Sequence, residues 1–128
     1  MKLVFPYTEK QGRWYPLIDI TLYGAKDFLQ IKALPDSGAS FSVFRPEIAD
    51  FLGIPIESGK QMCLEGVGGR ILGYLHLVKV GIGIKRFPCK IVFSREFTVS
   101  LNLLGRDNFF EEFLITFDEE KKRIVLGT

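Results

Sequence analysis

The chain has 128 residues, of which 47% are hydrophobic and 25% are charged, and its formal net charge is +2 at pH 7. These values predict one globular domain over residues 1–128 and exclude a disordered chain. The small net charge gives no reason to expect nucleic acid as a partner, and no apolar run reaches the roughly 18–20 residues that a membrane span needs.

Strand patterns dominate the N-terminal part of the chain. Three segments are rich in β-branched and aromatic residues, namely KLVFPY, YPLIDITLYG and DFLQIKAL. Residues 18–22 alternate between aliphatic and polar side chains, so we expect the aliphatic face of this strand to point into the core. The next segment, ALPDSGASFSVF, places an acid, a hydroxyl and a glycine between two apolar runs. Such residues are also typical of an ordinary surface turn, so the segment alone does not decide between a loop and a functional site.

Two segments have helical spacing. RPEIADFLG has Pro46 at its start and Gly53 at its end, as helices prefer. Its predicted inward face comprises Ile48, Phe51 and Leu52. GRDNFFEEF carries three phenylalanines at helical spacing, Phe109, Phe110 and Phe113, which predicts a second, core-facing helix.

The remaining segments predict further strands. QMCLEGVGGRILGYLHLVKVGIGI and FPCKIVFS are strand-like, and FLITFDEEKKRIVL predicts a hairpin with its tip at residues 118–121. All elements together predict an all-β domain with one or two short helices, in the form of a partly closed barrel or a folded sheet.

The start of the chain predicts its compartment. MKLVFPYTEK has only a brief apolar patch before its charged residues, which is not the pattern of a secretory signal. We therefore expect a cytoplasmic protein in which Cys63 and Cys89 are reduced thiols.

The census of reactive residues excludes several chemistries. The single histidine, His76, lies between leucines in a predicted strand, and we expect it to be structural. No serine has the context of a nucleophile elbow, and no local pattern pairs His76 with either cysteine. We expect no metal and no cofactor, because CxxC, HExxH and nucleotide-binding glycine patterns are all missing. Carboxylates remain as the candidate catalytic groups.

Three segments in order, ALPDSGASFSVF, LEGVGG and LNLLGRDNFF, resemble the retropepsin family, the retroviral-type aspartic proteases and their cellular relatives. The resemblance covers nearly the whole chain from about Leu17 onward. It implies a single-lobe acid-protease fold with a flap hairpin. It also implies an aspartic endopeptidase that acts as a homodimer on peptide or protein substrates.

The resemblance assigns roles to individual residues. Asp36 matches the catalytic aspartate, and Ser37, Gly38 and Ala39 complete the catalytic loop. Leu103–Gly105 matches the hydrophobic pair and the glycine that pack behind this loop. The implied substrate-binding residues are Ser40 in the loop and, around the flap tip, Glu65, Gly66, Val67 and Gly68.

Two of these positions depart from the retroviral pattern. Ser40 stands where retroviral enzymes often have an aspartate that pairs with an arginine, so Arg106 needs another partner. Glu65 stands where the retroviral pattern has glycine. We expect its carboxylate to favour a basic residue near the scissile bond by ~1 kcal/mol.

The number of catalytic aspartates predicts the oligomeric state. Peptide hydrolysis by two carboxylates requires that they share one proton, so one acts as base and the other as acid. Asp-Ser/Thr-Gly occurs once in this chain. The aspartates without that context are Asp19, Asp27, Asp50, Asp107 and Asp118. An active enzyme therefore requires two chains that each contribute Asp36 at a twofold axis.

Two other functions stay open at the level of the sequence. Pro35 precedes Asp36, where the family usually has a small aliphatic residue, and proline restricts the loop. Pro35 therefore keeps open the alternative of a catalytically inactive dimeric module of the same fold that binds peptides or proteins. A small nucleic-acid-binding barrel would need exposed aromatic residues among basic ones, as in FPCKIVFSREF, although the alternation of that segment fits two strands better.

Overall fold

The computed structural model describes residues 1–66 and 69–128. The strands in these residues are β1 (Lys2–Pro6), β2 (Thr8–Lys10), β3 (Arg13–Tyr15), β4 (Ile18–Tyr23), β5 (Phe28–Pro35), β6 (Ser42–Phe44), β7 (Lys60–Gly66), β8 (Gly69–Ile82), β9 (Lys85–Phe93), β10 (Asn102–Leu104), β11 (Leu114–Asp118) and β12 (Arg123–Gly127). The helix α1 spans Pro46–Leu52, and single 3₁₀ turns span Ile56–Ser58 and Phe110–Glu112. The fold is therefore mostly β, as the sequence predicts.

Six strands form a closed ring. The largest sheet has the order β4-β5-β10-β6-β9-β8-β7, and β4 also pairs with β8. The long strand β8 makes both connections, because residues 79–81 pair with β4 while residues 69–75 pair with β7. Of the two predicted forms the structure has the barrel and not the open folded sheet, and this barrel is closed rather than partly closed. The β7–β8 hairpin extends from its rim.

The core lies inside this ring. Ile18, Ile20 and Leu22 on β4 are fully buried, which confirms the inward aliphatic face predicted for residues 18–22. Burial of such aliphatic side chains contributes about 1.5–3 kcal/mol each relative to exposure.

Helix α1 covers one side of the barrel. It begins at Pro46, where the missing N–H costs no hydrogen bond because N–H groups in the first helical turn have no acceptor within the helix. It ends at Gly53, which has a left-handed φ of 73°. The predicted inward face is wrong in one residue, because Phe51 is 55% exposed. The side that faces the barrel comprises Ile48, Ala49 and Leu52, and Phe51 lies beyond its edge.

The predicted second helix is wrong. Only a single 3₁₀ turn, Phe110–Glu112, forms in this segment. Phe109 and Phe113 are buried and pack against each other and against Phe87, at ring-centroid distances of 5.3 to 6.3 Å. Phe113 is already extended and leads directly into β11, so pairing of β11 with β12 ends the helical turn early.

The two ends of the described chain meet in a separate three-stranded sheet. Its order is β1-β12-β11, so β12 is paired on both sides and the edges are β1 and β11. The predicted C-terminal hairpin is confirmed, although β11 extends through Asp118 and the turn therefore occupies residues 119–122. In the part of the chain that the structure describes, no helix has the length and apolar character of a membrane span.

Candidate active site

The loop that carries Asp36 connects two strands that are not neighbours. Strand β10 lies between β5 and β6, parallel to β5 at the pair Leu104–Pro35 and antiparallel to β6 at the pair Leu103–Val43. Residues 36–41 must therefore pass over the C-terminal end of β10. This placement brings Asp36 next to the segment that follows β10.

Backbone hydrogen bonds tie this loop to the segment after β10. They join Asp36 N–H to Leu104 O (2.8 Å), Arg106 N–H to Ala39 O (2.9 Å) and Asp107 N–H to Ser40 O (2.8 Å). Because both ends of the loop are fixed to the same short segment, the position of Asp36 is set by backbone atoms rather than by flexible side chains.

The loop also orients the carboxylate of Asp36. The N–H of Gly38 donates to Asp36 Oδ1 at 2.9 Å, and the N–H of Ala39 donates to the Asp36 carbonyl at 3.1 Å. Asp36 is half-buried, whereas Ser37 and Gly38 are exposed. The site thus presents a fixed carboxylate at the surface of the single chain.

Gly105 packs directly beneath the loop. A Cβ atom at Gly105 would lie less than 3.0 Å from the backbone N, C and O atoms of Phe41, so only glycine fits. The N–H of Gly105 donates to the hydroxyl of Ser42, which is fully buried, at 3.0 Å. The segment Leu103–Gly105 therefore lies directly behind the loop that carries Asp36.

Pro35 does not disturb this arrangement. The N–H of Asp36 points to β10, so by strand alternation the nitrogen of Pro35 faces the side on which β4 pairs with β5. That pairing ends at Ile18–Ala33, two residues before Pro35. A proline here consequently removes no ladder hydrogen bond.

Ser40 and Arg106 line a surface depression together with Asp107, Phe110 and Glu111. Asp107 is paired with Lys90 at 3.2 Å and is not the partner of Arg106. Within the described residues, no acidic side chain lies in salt-bridge distance of Arg106. The structure thus brings Ser40 and Arg106 to one depression beside the loop, where Asp107 and Glu111 also lie but form no ion pair with Arg106.

The β7–β8 hairpin contains two more of the predicted substrate-binding residues, Glu65 and Gly66. Glu65 is opposite Arg70, and Gly66 is opposite Gly69. Glu65 Oε1 lies 2.9 Å from a terminal nitrogen of Arg70, and both side chains are mostly exposed. Val67 and Gly68 lie outside the described residues.

The histidine and the two cysteines lie outside the Asp36 loop. His76 Nε2 lies 2.8 Å from the carbonyl oxygen of Ile56, and its ring packs edge-on against Phe93, which agrees with the structural role expected for it. Burial raises the pKa of the Cys89 thiol to about 12, so it stays protonated at neutral pH. Cys63 is an exposed free thiol on β7.

Sequence analysis missed two buried polar residues that support the site, Ser42 and Asn102. Besides Ser42, Asn102 is buried at the start of β10, where its amide accepts from the N–H of Arg45 at 2.9 Å and donates to the Lys32 carbonyl at 3.4 Å. The available signal was a single polar residue within an apolar run, in FSVF and in LNLL, because a polar side chain in a core position needs a partner.

Comparisons with known proteins give one sequence relative and two solved structures of the same fold. No family model matches the sequence. The chain is 32% identical over 112 residues to DNA damage-inducible protein 1 of Neurospora crassa; the match includes 85% of the chain. The chain spans about a quarter of that relative, 24% of its length.

Two solved structures share the fold. One is a retropepsin-like aspartic protease from Rickettsia conorii, with a TM-score of 0.72 and 22% identity over 98% of this chain and 89% of the other. The second is EIAV protease complexed with the inhibitor HBY-793, with a TM-score of 0.60 and 18% identity over 82% of this chain and 93% of the other. The chain therefore has the retropepsin-like fold, as its three motifs predicted.

Proposed function

We propose that this chain, which has the retropepsin-like fold, is an aspartic endopeptidase that hydrolyses peptide bonds in peptide or protein substrates. The observation that carries the proposal is the Asp36 loop. Its carboxylate is oriented by the N–H of Gly38 at 2.9 Å, and its backbone is fixed to Leu104 at 2.8 Å. A rigid, half-buried carboxylate at a surface loop is the group that acid–base hydrolysis requires.

The proposed mechanism uses two copies of Asp36. Two carboxylates held about 3 Å apart share one proton, because both cannot ionise comfortably. The ionised carboxylate takes a proton from a water molecule, which attacks the substrate carbonyl carbon, while the protonated carboxylate gives its proton to the carbonyl oxygen. The carboxyl group that took the water proton then gives it to the leaving amine nitrogen, and the C–N bond breaks. The other carboxylate takes a proton from the gem-diol as the carbonyl re-forms, which restores the shared proton.

We propose a homodimer because each chain supplies one Asp-Ser-Gly loop. Ser37 and Gly38 are exposed in the single chain, which suits contact with a second copy at the twofold axis. Strand β12 is paired on both sides within its own chain, so it offers no free edge for exchange between chains. We therefore expect the dimer to use the loop and the strand edges β1 and β11.

The β7–β8 hairpin is proposed as the flap that covers the bound peptide. Ser40 beside the loop and Glu65, Gly66, Val67 and Gly68 around the hairpin tip are the proposed substrate contacts. The cytoplasm, which the sequence predicts as the compartment, is the proposed source of substrates, and no cofactor is invoked.

Mixed dimers test this proposal. Asp36→Asn should reduce kcat/KM by about 10³-fold, because an amide cannot share the catalytic proton, while the urea midpoint stays near that of wild type. When excess Asp36→Asn chains exchange with wild type, activity should fall below the wild-type fraction, since each mixed dimer holds one competent aspartate. Pepstatin should inhibit the wild-type reaction.

The outcomes separate the alternatives. Activity that stays proportional to wild-type chain at every mixing ratio would show that each chain works alone. Undiminished turnover in pure Asp36→Asn would end the aspartic-protease proposal. A wild-type chain that binds peptides in a fluorescence titration without cutting them would be the inactive binding module.

A further inference from the structure

The β7–β8 hairpin leaves the barrel where β9 ends. Strand β9 pairs with β8 from Ile82–Lys85 to Tyr74–Phe93. Closer to the hairpin tip, residues 69–73 of β8 have a strand partner only in β7. The backbone groups of this segment that face away from β7 therefore need other partners.

Leu72 receives those partners from a turn over residues 94–97. The N–H of Leu72 donates to Glu96 Oε1 at 3.0 Å, and the carbonyl of Leu72 accepts from the hydroxyl of Ser94. Glu96 N–H in turn donates to Ser94 Oγ at 3.1 Å, and Phe97 N–H donates to the Ser94 carbonyl at 3.2 Å. The side chains of Glu96 and Ser94 thus make the two hydrogen bonds to Leu72 that a longer β9 would otherwise make.

The same turn is attached to the body of the domain through Arg95. Its two terminal nitrogens lie 3.1 and 3.2 Å from the carboxylate of Asp50 on α1, and its Nε lies 3.0 Å from Glu57 in the first 3₁₀ turn. The side chain of Arg95 contacts Asp50 and Glu57, while those of the adjacent Ser94 and Glu96 bind the backbone of Leu72. Residues 94–96 therefore connect α1 to the hairpin.

The backbone next to Leu72 also lies close to the barrel. A Cβ atom at Gly73 would lie 2.5 Å from Val92 Cγ1 and 3.4 Å from Ser94 Cβ. Gly73 is buried, so β8 reaches its exit point pressed against the end of β9. Both this close approach and the paired Leu72 fix the same point of the hairpin.

We propose that residues 94–97 form a clasp that sets where the β7–β8 hairpin leaves the barrel, and that Glu96 is a positioning residue for substrate binding. The second part rests on the proposed protease function. The clasp holds β8 at Leu72, so only the residues beyond it project from the barrel; among the described ones these are 64–66 and 69–71. Loss of the clasp should loosen the hairpin at its base and weaken the hold on a bound peptide.

Amide hydrogen exchange tests the clasp without any activity measurement. In Glu96→Ala the Leu72 amide should exchange about tenfold faster, because its charged acceptor is lost. Glu96→Gln keeps a carbonyl oxygen at the same reach and should stay close to wild type. Glu120→Ala, in the exposed β11–β12 turn, is the matched control and should leave the Leu72 amide unchanged.

Exchange at Leu72 that stays at the wild-type rate in both Glu96→Ala and Ser94→Ala would overturn the clasp. Equal urea midpoints for Glu96→Ala and Glu120→Ala would assign the faster exchange to local opening, as proposed. A uniform rise in exchange over the whole sheet would instead show general destabilisation and contradict the proposal.

Cleavage kinetics test the positioning role. Glu96→Ala should raise KM about threefold to tenfold with a smaller change in kcat, and Glu96→Gln should restore KM. An unchanged KM combined with faster Leu72 exchange would remove Glu96 from substrate positioning. If the wild-type chain cleaves no peptide, the proposed protease function fails, and the exchange measurement still decides the clasp.

Discussion

The Asp36 loop and the β7–β8 hairpin are held by different kinds of contact. The loop is fixed by backbone hydrogen bonds to the segment after β10 and by the close packing of Gly105 under Phe41. The hairpin beyond Tyr74 has a strand on one side only and is held at Leu72 by two side chains. Backbone contacts hold the Asp36 carboxylate in a fixed position, whereas contacts through two side chains require less free energy to open.

This difference predicts where substitutions are costly. Changes in the loop region should act on the stability of the whole domain, because its contacts join strands of the central barrel. Changes in the hairpin should act locally, because few contacts there involve the rest of the core.

The largest expected effect is that of Gly105→Ala. The added methyl group would meet backbone atoms of Phe41 at less than 3.0 Å, and backbone cannot move aside as a side chain can. We expect a loss of about 3 kcal/mol in the free energy of unfolding, measured by urea denaturation.

The matched control for this change lies in the hairpin. A Cβ atom at Gly66 has no described neighbour within 4 Å, so Gly66→Ala should alter stability by less than about 0.5 kcal/mol. Equal costs for the two substitutions would contradict the contrast between loop and hairpin.

Ser42→Ala should have the next largest effect. It leaves the buried N–H of Gly105 without its acceptor, which costs about 2 kcal/mol. Ser58→Ala removes an exposed hydroxyl that donates to the Pro55 carbonyl and should cost well under 1 kcal/mol in the same urea experiment. If Ser42→Ala is as mild as Ser58→Ala, the hydroxyl of Ser42 does not support the loop.

A smaller, pH-dependent effect should come from the tie between Arg95 and Asp50. Hydrogen bonding to Arg95 holds the pKa of Asp50 below its usual value of 3.8. A lowered pKa in the folded state means that the unfolded chain binds the proton first. The stabilisation is therefore present above about pH 4 and is lost as the pH falls through the folded-state pKa.

Urea midpoints of wild type and Asp50→Asn check this prediction. Wild type should be the more stable protein at pH 7, and the difference should shrink below pH 4. A difference that stays constant between pH 7 and pH 3 would show that the Asp50 carboxylate contributes no charge-dependent stability.

The smallest expected effect concerns specificity at the hairpin. The partner Arg70 offsets the charge of Glu65, so we expect the preference for a basic residue to be about 0.5 kcal/mol rather than the larger value expected from Glu65 alone. Arg70→Gln should strengthen this preference, and Glu65→Gln should reverse it. Cleavage profiles of a peptide library at low and high salt measure both, and three identical profiles would place this ion pair outside the substrate site.

Local pattern predicted much of the fold. Period-two alternation identified the buried face of β4, and Pro46 with Gly53 marked both ends of α1. The motif order also predicted the retropepsin-like fold that the solved structures share. These features could be predicted from the sequence because each depends on residues that are close together in the chain or on a short contiguous motif.

Competition between local and distant contacts caused the errors. GRDNFFEEF has helical spacing, yet packing of Phe109 and Phe113 around Phe87 and the pairing of β11 with β12 leave one 3₁₀ turn. Phe51 was assigned to the core because its spacing fits, but the barrel contacts only the narrower side made by Ile48, Ala49 and Leu52.

The order of the amino acids establishes which reactive groups the chain carries, namely one Asp-Ser-Gly tripeptide and one histidine. Which distant residues contact each other follows from the arrangement of the strands in space. Ser42 supports Gly105 over a separation of 63 residues, and Glu96 binds Leu72 over 24. No local periodicity encodes such pairs, because they arise when β10 inserts between β5 and β6 and when β9 ends before the hairpin does.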